Sequence, residues 1–321
     1  MRYYFAPLEG ITDSIFRKLH SKYFPGIDRY YTPFLSPTIH RGLTAREARE
    51  IPQADTLTYE AVPQLLTKVS EDFLWLAGVC ADLGYKEVNL NTGCPSGTVT
   101  AKGKGAGMLA DPEALDRFFD AVFSASPLPV SVKTRLGMRS EEEFYALLEV
   151  FNRYPICELT VHPRIRAQFY SGSPNMELFD YAVKKSSNPL CYNGNLCSKG
   201  QIEAFAQRYP QVGSVMIGRG LIGDPGMLSP APVTAPALER YHDELLEEYL
   251  TAFGGSRNAM FRLKEHWRHL ICRFEPDDKL RKRLRKVTDL TEYRAITHEI
   301  FTDLPLLPEL SPDWQRTDLP L

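Results

Sequence analysis

Up to about residue 228, short apolar runs alternate with stretches whose apolar positions recur every three or four residues. The runs Tyr3–Pro7, Arg29–Phe34, Asp55–Glu60, Glu87–Asn91, Val130–Thr134, Cys157–His162, Leu190–Asn193 and Ser214–Ile217 read as strands. Helical spacing fills most of the gaps, as over Ser70–Leu83, Glu113–Ser124, Glu141–Arg153 and Lys199–Arg208. Eight strand–helix units in this length predict a TIM (β/α)8 barrel. A doubly wound sheet is the rival, but the chain has no GxGxxG turn after its first strand.

The pattern changes at Pro225, Pro230, Pro232 and Pro236. Beyond them the spacing is helical only, with Leu238, Tyr241, Leu245 and Tyr249 on one stripe and Met260, Leu263, Trp267 and Leu270 on another. The expected organisation is therefore a barrel over residues 1–230 and an all-α domain over 231–321. From Arg257 to Val287 there are eleven Lys and Arg against four Asp and Glu, densest over 279–286. Leu280, Leu284 and Val287 share a helical face, so Lys279, Arg281, Lys282, Arg283, Arg285 and Lys286 fan out from the other. A run of cations is ordinarily a solvated face. Here almost no acid is interspersed and like charges repel, so an anionic partner is the stronger reading.

Composition narrows the class. Of the 321 residues, 43% are hydrophobic and 24% charged, ordinary for a soluble globular protein. No apolar run is long enough to span a membrane, and the opening residues lack the apolar core of a signal peptide. Six cysteines with no CxxC pair and no zinc spacing predict reduced thiols and a cytoplasmic location. The net charge of -2 gives no global attraction to nucleic acid, so any such role rests on the local cationic run.

The candidate chemistry lies at the strand ends, which a barrel brings to one face. Asn89-Leu90-Asn91-Thr92-Gly93-Cys94-Pro95 places a thiol on a tight turn beside asparagines, whose amides offer the donor and acceptor that complement a uracil-like ring. Asn193-Gly194-Asn195 and Gly218-Arg219-Gly220 follow the last two strands, where barrels commonly bind phosphate. Lys133 is open to two readings: a Schiff-base lysine, or a cation beside a reduced cofactor ring. A missing acid–base carboxylate at the neighbouring strand ends weakens the first. His162, followed by Pro163-Arg164-Ile165-Arg166, reads as a ligand contact.

Taken together, these segments resemble the tRNA-dihydrouridine synthases. Ala6-Pro7-Leu8-Glu9-Gly10-Ile11-Thr12-Asp13 with Phe16-Arg17 is similar to that family's opening signature, and the Cys94 turn to its catalytic motif. Val130–Gly137, Leu159–Arg164, Tyr192–Asn195 and Val215–Gly220 follow in the family order. The resemblance implies an FMN-containing barrel that reduces a uridine of tRNA with NADPH, or NADH, as reductant. By position it implies that Cys94 is the general acid. Pro7, Leu8, Gln64, Lys133 and His162 would hold the flavin ring, and Asn193, Gly194, Asn195, Gly218 and Arg219 its phosphate. Asn91 would touch the target uracil, with Arg135, Arg164 and Arg166 toward the RNA. The chain departs from the family pattern at Leu8, Leu66-Thr67, Pro163, Ile165 and Asn195, without loss of a functional group.

The implied chemistry is a hydride to uracil C6, from N5 of the reduced flavin, and a proton to C5 from the Cys94 thiol. The base must be extruded from the folded tRNA to be reached. A monomer bound to tRNA, with no membrane partner, is expected. Dihydroorotate dehydrogenase chemistry uses the same bond, but it has no need of the basic helical segment. A catalytically inert RNA-binding relative is disfavoured by the intact set Cys94, Lys133 and His162.

Overall fold

Nine short parallel strands form one sheet whose two edges meet at a single proline. The structure, a computed structural model, describes residues 1–38 and 40–315. The strands are β1 (Arg2–Phe5), β2 (Arg29–Tyr31), β3 (Ala61–Val62), β4 (Gln64–Leu65), β5 (Val88–Thr92), β6 (Val130–Gly137), β7 (Leu159–Ile165), β8 (Leu190–Tyr192) and β9 (Ser214–Ile217). Their order is β3-β2-β1-β9-β8-β7-β6-β5-β4. Only Pro63 separates β3 from β4, so the two outer strands are one interrupted strand. On one side Leu35 N–H donates to Gln64 O at 2.8 Å; on the other Asn89 N–H donates to Pro63 O at 2.8 Å. The sheet is thereby a barrel of eight strand positions, the (β/α)8 architecture. Proline is tolerated at the seam because its carbonyl, which it keeps, is the group the neighbouring strand uses.

Seven of the expected strands lie where the hydrophobic pattern puts them. The eighth is displaced. Asp55–Glu60 overlaps a 3-10 turn over Ala54–Thr56, and the strand begins only at Ala61. Its Thr-Leu-Thr-Tyr composition favours a strand, but the partner groups of β2 reach only its last residue and those beyond: Tyr30 N–H donates to Glu60 O at 2.9 Å and Thr32 N–H to Val62 O at 3.0 Å. Tertiary pairing overrides local propensity here.

The helices in chain order are α1 (Ser14–Tyr23), α2 (Ala45–Glu50), α3 (Ser70–Asp82), α4 (Gly97–Thr100), α5 (Pro112–Ala125), α6 (Glu143–Asn152), α7 (Met176–Lys185), α8 (Lys199–Arg208), α9 (Arg219–Gly223), α10 (Ala235–Phe253), α11 (Ser256–Leu270), α12 (Asp278–Lys286) and α13 (Leu290–Asp303). Among the described residues, no helix is long and apolar enough to cross a membrane. The chain divides into two compact units: Met1–Pro7, Asp28–Asn195 and Ala206–Met216 form the first, and Leu8–Ile27, Leu196–Phe205 and Ile217 onward form the second.

In the first unit, aromatic contacts tie the outer helices together, with Phe73 of α3 on Phe118 of α5 at 6.0 Å and Phe119 of α5 on Phe151 of α6 at 5.9 Å. The face where strands begin is closed around the buried Glu158 carboxylate. The Glu158 carboxylate accepts from Arg2 at 3.0 Å, Tyr4 at 3.2 Å and Ser214 at 2.7 Å. Tyr4, Ala6, Tyr31, Val62, Cys191 and Met216 form an apolar plug in the barrel. With this end given to stability, the opposite face, where strands end, is left for chemistry.

In the second unit the described C-terminal residues are mainly helical, with one antiparallel bridge between Phe274 and Leu306. The Trp267 indole N–H donates to Tyr293 Oη at 3.0 Å, and that hydroxyl lies 2.9 Å from His242 Nε2. A pair of donors and acceptors of this kind satisfies polar atoms in an otherwise apolar core. Asp277 caps α12 by accepting from Leu280 N–H at 2.8 Å, and Leu280 and Leu284 are buried as their spacing predicts.

Candidate active site

A ladder of amides and hydroxyls crosses the upper barrel of the first unit. Gln64 Nε2 donates to Asn89 Oδ1 at 2.8 Å, and Asn89 Nδ2 donates to Ser131 Oγ at 2.9 Å. One layer higher, Asn91 Nδ2 donates to Gln64 Oε1 at 2.7 Å. Side chains two apart on a strand share a face, which is why Asn89 and Asn91 both reach this row. All four residues are nearly or fully buried. Gln64, expected at the flavin, and Asn91, expected at the uracil, are therefore joined directly.

Asn91 also builds the turn that presents the thiol. Its Oδ1 accepts from Gly93 N–H at 3.0 Å and Cys94 N–H at 2.8 Å, an Asx turn. The three carbonyls around Cys94 are each engaged. Arg135 Nε donates to Gly93 O at 2.8 Å, Ala106 N–H to Cys94 O at 3.1 Å, and Arg166 Nε to Pro95 O at 3.1 Å. Cys94 is half-buried and, like the other five cysteines, is not in a disulfide. Gly105 was not singled out by the sequence, yet it packs on this turn. Its φ is +56°, and an added Cβ would meet Cys94 Cβ at 2.9 Å. Only glycine takes that conformation at that distance without displacing the turn. The glycine-rich run Gly103-Lys104-Gly105-Ala106-Gly107 was the available signal.

Lys133 stands level with Asn91 across the β5–β6 pair. Its ammonium makes no hydrogen bond or ion pair with the described residues. Burial, then the neighbouring Arg135 guanidinium, pushes its pKa down to about 7. An amine so placed is a set of donors lacking an acceptor, which is what an electron-rich ring edge supplies.

His162 and the three candidate arginines meet above it. Arg164 Nη1 lies 2.8 Å from His162 Nε2. Arginine has no acceptor, so Nε2 accepts and the ring proton sits on Nδ1. The rest of the Arg164 fork donates to Ser171 O at 3.1 Å and Gly172 O at 2.5 Å. Arg135 Nη1 donates to Phe169 O at 2.8 Å and Ile165 O at 3.2 Å. Arg135 and Arg164, which the sequence places with the RNA, are buried and bond to backbone carbonyls, so they hold the 165–172 loop. Arg166 is half-buried at its edge.

The expected phosphate residues fall in both units. In the first, Asn193 Nδ2 donates to Met216 O at 2.7 Å, and a Cβ on Gly194 would overlap the Tyr192 hydroxyl at 2.0 Å. In the second, a Cβ on Gly220 would meet Leu196 O at 2.3 Å, so the turns after β8 and β9 approach backbone to backbone. Gly218 and Arg219 are half-buried there, with the Arg219 guanidinium over the Trp314 ring at 5.4 Å. Leu8 N–H donates to Thr12 Oγ1 at 2.9 Å, while Pro7 follows the end of β1 in the first unit. On α12, Lys279, Lys282, Arg285 and Lys286 are exposed, Arg281 is half-buried, and Arg283 pairs with Glu299 at 2.7 Å.

The family model for dihydrouridine synthase (Dus) matches residues 4–303. A Staphylococcus epidermidis protein named "Probable tRNA-dihydrouridine synthase" is 30% identical over 258 residues, covering 76% of this chain and 77% of its own. A Synechocystis sp. protein named "Probable tRNA-dihydrouridine synthase 1" is 29% identical over 322 residues, covering 94% of this chain and 86% of its own. Among solved structures, histamine dehydrogenase from Rhizobium sp. 4-9 is similar with a TM-score of 0.51 at 12% identity, covering 70% of this chain and 45% of that longer one. That last likeness is one of fold.

Proposed function

The chain belongs to the dihydrouridine synthase family, and from that premise we propose that it reduces a uridine of tRNA to 5,6-dihydrouridine, with FMN as its flavin and NADPH, or NADH, as reductant. One observation carries this reading: the Cys94 turn and the unpartnered Lys133 ammonium share the mouth of one barrel, a thiol beside donors that lack an acceptor.

The residues fit a flavin. Lys133, His162 with its Nδ1 donor, Gln64, Pro7 and Leu8 would hold the ring. Asn193, Gly194, Asn195, Gly218 and Arg219 would hold the ribityl phosphate. When bound, the flavin supplies the hydride for uracil C6. Cys94 gives its thiol proton to C5. Asn91 holds the turn that aims the thiol, and the second hydrogen of its amide is the group we assign to the uracil.

The target base must leave its stack to enter the barrel, and the cations of α12 would grip tRNA phosphates while it does. Arg166 lies on the RNA side, with Arg135 and Arg164 shaping the loop behind it. In this reading residues 1–230 are the flavin-binding part and 231–321 the tRNA-binding part of a cytoplasmic monomer. The test is to incubate the purified protein with an unmodified tRNA transcript and NADPH, then digest and analyse the nucleosides by mass spectrometry. Dihydrouridine is expected, together with FMN on cofactor extraction. No dihydrouridine, or a cofactor other than a flavin, would overturn the proposal.

A further inference from the structure

The loop after β7 carries an anomaly at the mouth of the barrel. Phe169 has φ +49° and ψ -98°, a left-handed conformation that a residue with a Cβ rarely adopts. Strain of this kind persists only where the surroundings fix it, and it gathers at functional sites. Here the fixing is dense. Phe169 N–H donates to Arg166 O at 3.2 Å, and Phe169 O accepts from Arg135 at 2.8 Å. Ser171 N–H donates to Gln168 O at 2.8 Å, and the Gln168 side chain accepts from Ile165 N–H at 2.8 Å.

This network does not bury the ring. Phe169 is 43% exposed, and Tyr170 beside it is 38% exposed. The Arg166 guanidinium lies 5.4 Å from the Phe169 ring centroid. The loop is also tied to the catalytic turn, because Arg135 bridges Gly93 O and Phe169 O while Arg166 holds Pro95 O. A water-exposed aromatic, backed by a cation and locked one guanidinium away from Cys94, is a flat surface waiting for another flat surface.

We propose that Phe169 is a base-stacking residue: its exposed ring receives a nucleobase of the tRNA strand next to the extruded uridine, with Arg166 behind the ring. This inference rests on the function proposed above. Stacking on aromatic side chains holds splayed nucleotides without reading their sequence, and every base has the face for it. The contact would keep the strand open while the uridine is inside the barrel, and Phe169 is thus a positioning residue.

The test uses Phe169→Gly, which relieves the backbone; Phe169→Leu, which keeps apolar bulk without a π face; and Phe169→Tyr, which keeps the ring. Three quantities are read: the melting temperature, flavin reduction by NADPH without RNA, and kcat/KM for tRNA. A short single-stranded RNA with 2-aminopurine beside a uridine gives a fourth, because stacking on the ring quenches its fluorescence. All variants should melt near the unaltered protein and reduce flavin normally. The Gly and Leu variants should lose roughly five- to 150-fold in kcat/KM, the factor a lost base–aromatic stack is worth, and should not quench the reporter. Tyr should restore both. Full activity and quenching in the Leu variant would overturn the inference, as would failure of the Tyr variant to recover. If the unaltered protein quenches the reporter but makes no dihydrouridine, the proposed function falls and the stacking surface stands.

Discussion

His162 Nε2 accepts from Arg164 Nη1 at 2.8 Å, and this bond sets which ring nitrogen of the histidine faces its other partners as a donor. Both side chains are buried, so each depends on the other for a satisfied polar atom. His162→Leu should therefore strand a guanidinium N–H and cost about 1–3 kcal/mol of stability. His162→Gln, whose side-chain oxygen also accepts, should recover most of it. Denaturant unfolding of the two variants, with flavin content measured alongside, checks this.

Cys94→Ala separates binding from chemistry. The turn is held by Asn91, Arg135, Ala106 and Arg166 through backbone groups, so it should survive loss of the thiol. Flavin should bind and be reduced by NADPH as before. Dihydrouridine formation should fall by roughly 10²–10⁴, the usual contribution of a general acid. Single-turnover assays on tRNA give the comparison.

Lys133 predicts a pH dependence of the cofactor-free protein. Its pKa falls from 10.5 in the unfolded chain to about 7 in the fold. Across that window the unfolded chain holds a proton that the folded one has released, so this residue's contribution to stability rises with pH. Below about 7 the penalty of a buried ammonium is fully present. Lys133→Met should melt higher than the unaltered protein near neutral pH, with the gap closing toward 10.5, and it should bind flavin more weakly. Melts of flavin-stripped proteins over a pH series test the sign.

The basic helix is tested by changing Lys279, Lys282, Arg285 and Lys286 to Ala, since these four are exposed. Arg283 is left in place because its ion pair with Glu299 joins α12 to α13. tRNA binding should weaken, and its salt dependence should flatten by about one unit of slope per lost phosphate contact. NADPH oxidation by the flavin should be unchanged. Unchanged affinity and slope in a normally folded variant would leave α12 as a solvated face.

What the sequence determined by itself was whatever depends on local pattern. Alternating apolar runs and helical stripes announced a barrel and a helical end, because burial selects period and spacing. Cys94 stood out because Asn, Gly and Pro turn chemistry is local, and α12 because an unbroken cationic run with a leucine face is visible in one dimension. The tertiary structure decided what depends on partners distant in the chain. The closing strand moved to Ala61–Leu65 because β2 and β5 supply its hydrogen bonds there. Arg135 and Arg164 were expected toward the RNA, and the fold brings carbonyls of residues 93, 165, 169, 171 and 172 to their guanidiniums. Phe169 carried no local mark and Gly105 only its place in a glycine-rich run, since a positive φ is visible only once the chain is folded around it. A side chain's type limits the bonds it can make, but which bonds it makes is fixed by the groups that packing sets within about 3 Å of it.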